Sequence, residues 1–105
     1  MSGAADLPER MHAFRQRFFE RVRRDRVDIA GAWQDGDHAT LIRLCHGLAG
    51  NAGMFGFREL GLLAGRVEGA IEQGRIADID QAIGELLTGM DQIEDPRIGS
   101  VPNKD

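Results

Sequence analysis

Apolar residues recur along this chain at steps of three, four and seven, and nowhere do they alternate with polar ones, which is the spacing of helices with one buried face. In the first segment the rule holds at Met11, Phe14, Phe18, Val22, Ile29 and Trp33. That segment opens with Asp6, Pro8 and Glu9, a capping-type start with proline in the first turn, and runs to about Asp35. At Arg24-Asp25-Arg26 charge stands where an apolar residue is due, so an irregularity is expected there. Gly36 turns the chain, and Asp37 caps a second helix through about Ala52 with the stripe Leu41, Leu44, Cys45, Leu48 and Ala52. A third helix begins near Gly56-Phe57, buries Leu60, Leu63, Ala64, Val67 and Ile71, and ends at Gly74. The fourth starts on Asp78 and Gln81 as a capping-box variant. It buries Ile79, Ala82, Ile83, Leu86, Leu87, Met90 and Ile93 and stops before Pro96. The pattern predicts an all-α protein: one antiparallel, up-and-down four-helix bundle over residues 1–95 with short turns, and a polar tail over 96–105.

Composition narrows the class without changing the picture. At 105 residues the chain supports one modest core and no deep cleft between domains. With 42% apolar and 29% charged residues it has the makeup of a soluble globular protein, and the absence of tyrosine speaks against an all-β fold. A formal net charge of −4 gives no general attraction to nucleic acid or an anionic membrane, and neither is expected as a partner. The single cysteine, Cys45, cannot form an internal disulfide. No signal-peptide order and no bilayer-length apolar run is present, so a cytoplasmic protein is expected. Charge is divided unevenly: Arg10, Arg15, Arg17, Arg21, Arg23, Arg24 and Arg26 crowd the first helix, and acidic residues dominate the second half. This reads as a solvated basic helix against acidic neighbours, with a nucleic-acid-binding face as the competing reading.

One histidine stands among glycines in the second helix: His46-Gly47-Leu48-Ala49-Gly50-Asn51-Ala52-Gly53-Met54-Phe55-Gly56. Glycine inside a helix costs up to about 1 kcal/mol against alanine, so a close approach to the backbone is expected there. At about 100° per residue His46 falls roughly 140° from the apolar stripe and points to solvent. Ala39, Ile42, Arg43, Ala49, Gly50 and Gly53 share that side, a small and partly apolar surface open to a bulky partner. Two further readings stay open from the residues alone. The Ala/Gly/Ile side packs on another helix and His46 is a satisfied interior residue, or the histidine is incidental.

His46-Gly47-Leu48-Ala49-Gly50, with Gly56 ten residues after the histidine, resembles the His-x-Leu-Lys-Gly motif and downstream glycine of histidine-containing phosphotransfer (HPt) domains. Gly36-Asp37 introduces the helix as in that family, Leu60 follows Gly56 at the familiar interval, and Val67-Glu68 takes the place of its common Leu-Glu. The likeness spans roughly residues 10–94, and the family's four-helix bundle agrees with the one predicted above. The resemblance implies a phosphorelay intermediate. His46 accepts a phosphoryl group on Nε2 from an aspartyl phosphate of a receiver domain and passes it to the aspartate of a response regulator. Neutral imidazole suits the role because it is nucleophilic near physiological pH. The resemblance further implies a phosphocarrier with no autokinase activity, no cofactor of its own, Mg²⁺ brought by the receiver, and receiver domains as partners. A monomer is expected, since a bundle with an outward histidine needs no second subunit.

Within that resemblance Arg43, Ala49 and Gly50 form the phosphoryl environment, with Gly50 clearing space one turn from His46. Ala39, Ile42, Gly47, Gly53 and Met54 form the docking surface, Gly47 through backbone approach or helix packing, and Gly53 and Gly56 shape the turn. The departure is Ala49, which stands where the family carries lysine, so the cation is expected from Arg43 or Arg58. The alternative is a non-catalytic scaffold that binds receivers without efficient transfer. Other chemistry finds little support. Cys45 and His46 diverge by about 100° and form no dyad, and the three histidines lack the i, i+4 pairing of a helical metal site. Glu68 and Glu72 read as a solvated pair, and no nucleophile elbow or phosphate-binding loop exists.

Overall fold

A computed structural model describes residues 3–93, the side chains of 3–9 and of Met11 excepted. Four helices follow one another: α1 (Gly3–Asp35), α2 (His38–Ala52), α3 (Arg58–Glu72) and α4 (Ile76–Asp91), with a single 3₁₀ turn, Gly53–Phe55, between α2 and α3. No strand occurs among the described residues. α1 packs on α2 and α4, and α3 on α2 and α4, with the α2–α3 contact the most extensive and no close backbone approach across the diagonals among the described residues. The result is the four-helix bundle that the apolar spacing predicts.

Three glycines make the reversals. Gly36, Gly56 and Gly74 adopt φ of +68°, +87° and +68°, a left-handed conformation that side chains resist. At each the chain closes its preceding helix by a backbone bond: Asp37 N–H to Ala32 O, Phe57 N–H to Ala52 O and Arg75 N–H to Ala70 O. Asp37 caps α2 as expected, its carboxylate accepting from the Thr40 N–H at 3.1 Å and the Thr40 hydroxyl at 2.6 Å. These two bonds hold the Asp37 carboxyl below its ordinary range.

Two helix starts differ from the sequence reading. α1 begins at Gly3, ahead of Asp6, whose side chain lies outside the described residues along with those of Pro8 and Glu9. α4 begins at Ile76 after Arg75, which makes no side-chain cap, so Asp78 sits in the first turn and binds Arg75 at 3.1 Å in place of heading a capping box with Gln81. There an acidic side chain still complements the helix dipole. The tail over 96–105 lies outside the described residues.

The core is drawn from all four helices: Phe18, Val22 and Ile29; Leu41, Cys45, Leu48 and Ala52; Leu60, Ala64, Val67 and Ala70; Ile79, Ile83, Leu86 and Met90. Of the residues read as buried, Trp33, Leu44, Leu63, Ile71, Leu87 and Ile93 are only half-buried at its edge, and Phe14 is exposed. Phe55 and Phe57, which the apolar stripes leave out, stack on Phe18 with ring centroids 5.2 Å away in each case. They seal the end of the bundle where α2 passes to α3. α1 runs without a break through Arg24-Asp25-Arg26, where irregularity was expected. Asp25 turns inward beside Arg21, and Arg26 forms a bidentate pair with Asp91 of α4 at 2.8 and 3.0 Å. A carboxylate with a partner can occupy an inward site without ending a helix.

Candidate functional site

α2 lies between α1 and α3, and its residues sort by flank. Leu41, Cys45, Leu48 and Ala52 point into the core with no exposed surface. About 140° around the helix, the His46 side chain stands 77% exposed. Interior packing of His46 is thereby excluded. Cys45, next in sequence, is sealed in the core, where burial pushes its thiol up to about 12, so the two side chains share no chemistry.

His46 is held from α3. Its Nδ1 lies 3.0 Å from Oε2 of Glu68, a carboxylate whose side chain is only 19% exposed. An ionised carboxylate only accepts, so a neutral imidazole puts its hydrogen on Nδ1 and leaves the Nε2 lone pair directed to solvent. This is the arrangement a histidine nucleophile needs: one nitrogen oriented by a half-buried acceptor, the other free. Glu68 is therefore no solvated partner of Glu72, as its i, i+4 spacing suggested, but the residue that fixes the imidazole.

The glycines divide into two kinds. A Cβ on Gly50 or Gly53 would meet nothing within 4 Å, and both positions are exposed, so nothing inside this chain requires glycine there. Gly53 has right-handed helical φ and ψ and needs no special turn conformation, in contrast to Gly56. Gly47 differs: a Cβ would stand 3.1 Å from Nη2 of Arg21, so α1 lays a guanidinium over it. The expected neighbouring-helix packing at Gly47 is thus a single arginine side chain. The Gly47 carbonyl also accepts from Asn51 Nδ2 at 2.9 Å.

Ala49 is displaced from the open face on which helical phase put it. It is half-buried against α3, where a Cβ on Gly61 would come 3.3 Å from the Ala49 carbonyl oxygen and 3.4 Å from the Ala52 Cβ. Small residues on both helices let α2 and α3 approach closely here, and that approach brings Glu68 to His46 three residues before Ala49. Ile42 is half-buried, whereas Ala39, Arg43 and Gly50 are exposed and Met54 is 69% exposed beyond the end of α2. Arg43 stays near the histidine, on the outer face of the preceding turn. Arg58 does not: it opens α3, about 15 Å along the helix from Glu68, and lines the groove between α3 and α4.

Helical phase alone located His46, Arg43 and Gly50 on one surface. The two flanking groups, Glu68 and Arg21, come from other helices, and only knowledge of which helix lies on which side of α2 could have found them. Among the described residues no three His, Cys, Asp or Glu side chains gather as metal ligands, and no helix is long and apolar enough to cross a membrane. The family model described as Hpt domain matches residues 13–96. No curated protein and no solved structure is significantly similar to the chain.

Proposed function

We propose that this chain, which belongs to the Hpt domain family and so has a phosphotransfer-related role in two-component signalling, is a phosphorelay intermediate that carries the phosphoryl group on Nε2 of His46. The observation that carries this reading is the pairing of Nδ1 with the half-sequestered Glu68 while the rest of the ring stands in solvent. In the transfer the Nε2 lone pair attacks phosphorus of a receiver's aspartyl phosphate. An N–P bond forms, the P–O bond breaks, and its electron pair returns to the aspartate carboxylate. No proton has to leave Nε2, because the ring hydrogen is on Nδ1, and the charge that develops on the imidazole is stabilised by Glu68. The reverse sequence delivers the group to a second receiver, that of a response regulator.

Phosphoryl transfer depends mainly on positioning and on neutralising the equatorial oxygens, so little equipment is needed on the His46 side. The receiver brings Mg²⁺ and its own aspartate. The unobstructed Cβ direction of Gly50 supports a bulky partner descending on α2, and Ala39, Ile42 and Met54 supply apolar area around it. This reading asks for no cofactor within the chain and no kinase activity.

Incubation with a phosphorylated receiver is expected to label the protein with acid-labile, base-stable phosphate and to leave His46→Gln unlabelled. Labelling that persists in His46→Gln, or no labelling across a full panel of receivers, overturns the carrier reading. Receiver binding by the wild type that survives His46→Ala, with no labelling of the wild type, identifies a scaffold instead.

A further inference from the structure

The chain has alanine where a lysine would stand beside the phosphoryl group, and on the α3 flank of α2 the charge next to His46 is the negative one of Glu68. The opposite flank is occupied from α1. Arg21 lies along α2 with Nη2 close above Gly47, the residue that follows His46. Its Nε faces Oδ2 of Asp25 at 3.4 Å, and the side chain is still 43% exposed. Among the described residues Asp25 is the acidic partner it has.

Asp25 makes this placement unusual. It is 8% exposed, on the inward side of α1 between Val22 and Ile29, and Oδ2 makes no hydrogen bond of good geometry. An apolar side chain fits that site without the cost of burying a carboxylate. Burial does raise the Asp25 carboxyl above its ordinary range, against the opposing pull of Arg21. A costly buried acid whose nearest cation is a half-exposed arginine acts as a brace: it holds the guanidinium at one place on the molecular surface. That place is the rim of the His46 face, about 100° around α2 from the histidine and within one turn of it.

We infer that Arg21 is the cation of this phosphotransfer surface, delivered from α1 rather than from position 49, and that it binds the anionic phosphoryl-bearing site of the docked receiver. The inference rests on the carrier reading above. Position 47 is glycine because a larger residue pushes this guanidinium away, and Asp25 is a positioning residue for it. Residues 46 and 47 diverge by about 100°, which puts Arg21 in reach of the receiver's phosphoryl oxygens and acidic side chains and out of bonding range of the imidazole itself. Arg21 therefore contributes to receiver binding and to orienting the phosphoryl group, and leaves the nucleophile unchanged. Arg43, exposed on the turn before His46, adds to the same field.

The test uses the full chain and two readouts: the second-order rate of phosphoryl transfer from a phosphorylated receiver, and affinity for the same receiver loaded with beryllofluoride, an aspartyl-phosphate mimic. Because Arg21→Gln alone strands a buried carboxylate, the informative variant is the double change Arg21→Gln with Asp25→Asn, its folding checked by thermal unfolding. We expect about a tenfold loss in both readouts and a shallower dependence on salt, since one ionic contact is gone. Arg21→Lys, which keeps a cation over Gly47, is expected to recover part of the loss. A folded double variant that transfers and binds within twofold of the wild type overturns the inference, as does an equal loss in Arg24→Gln, which removes an exposed arginine of the same helix. If the wild type binds the loaded receiver but is never labelled, the carrier reading fails while the binding comparison still decides the role of Arg21.

Discussion

His46 has a free Nε2 because one carboxylate holds its other nitrogen. Glu68 is two-thirds of the way along a neighbouring helix, yet its Oε2 lies 3.0 Å from Nδ1. Replacing it by alanine is expected to leave the fold intact and to slow labelling of His46 by about ten- to a hundredfold, the range associated with loss of an orienting partner of a histidine. Glu68→Gln, which keeps an acceptor oxygen, is expected to recover part of the rate; equal rates in all three proteins would show that the contact does not orient the ring. Gly50 tests the other half of the site. Its Cβ direction is empty, so Gly50→Ala is expected to raise stability by up to about 1 kcal/mol through helix propensity. The same methyl stands one turn from His46 and is expected to weaken receiver binding. A rise in melting temperature with undiminished binding would remove clearance as the reason for the glycine.

The decisive contact between elements is the α2–α3 crossing. Gly61 faces the Ala49 carbonyl and the Ala52 methyl, and a Cβ at 61 would stand 3.3 and 3.4 Å from them. The contact with the carbonyl oxygen is tighter than an ordinary methyl contact, so the helices must give by a few tenths of an ångström, because that atom is backbone and cannot rotate aside. Gly61→Ala is expected to cost about 1–3 kcal/mol, the range for overpacking a close contact, less the gain in helix propensity. It is also expected to lengthen the His46–Glu68 contact, so that melting temperature and labelling rate fall together. A variant that keeps wild-type values in both would show that the crossing accommodates the methyl group. Ala49 belongs to this crossing as much as to the open surface, which gives a physical reason for a small residue at that position independent of any receiver.

Over the whole molecule, ionisable groups pull stability in opposite directions as pH changes. Asp37 and Asp91 are held below their ordinary range, by the Thr40 cap and by the bidentate Arg26 respectively, so their contributions are present above about pH 4 and fade as pH falls through their lowered values. Asp25 behaves oppositely. Its carboxyl is raised, chiefly by burial, with Asp28 adding to the shift and Arg21 and Arg24 opposing it. A raised value means that the stability associated with the protonated form is complete below the unfolded value, near pH 4, and is lost as pH rises through the folded one. Asp25→Asn removes that dependence. The melting temperature of the variant minus that of the wild type is therefore expected to be larger at pH 7 than at pH 4; a difference that stays constant or grows toward acid would reverse the assigned direction. Cys45 reports on the same interior: buried, with its thiol pushed up to about 12, it should resist thiol reagents at pH 8 until the bundle unfolds.

Much of the bundle was legible in the chain, because helix period and turn chemistry are local. Leu41, Cys45, Leu48 and Ala52 mark one stripe, Gly36, Gly56 and Gly74 mark the reversals, and Asp37 marks a cap, each from residues within a turn or two of itself. The outward direction of His46 follows from the same periodicity, and the motif around it was sufficient to indicate the family. What local spacing does not encode is which helix lies on which side of α2. That assignment brings Glu68 to Nδ1, carries Arg21 over Gly47, draws Ala49 into the α3 contact and leaves Arg58 too far away to serve. It also packs Phe55 and Phe57 against the edge of the core, since their partner Phe18 is some forty residues distant in the chain. The sequence by itself determined the helices and the outward histidine, since both depend on neighbours along the chain. Only the tertiary structure decided the charges that flank that histidine, because a salt bridge or a helix crossing depends on distance in space between residues the sequence holds far apart.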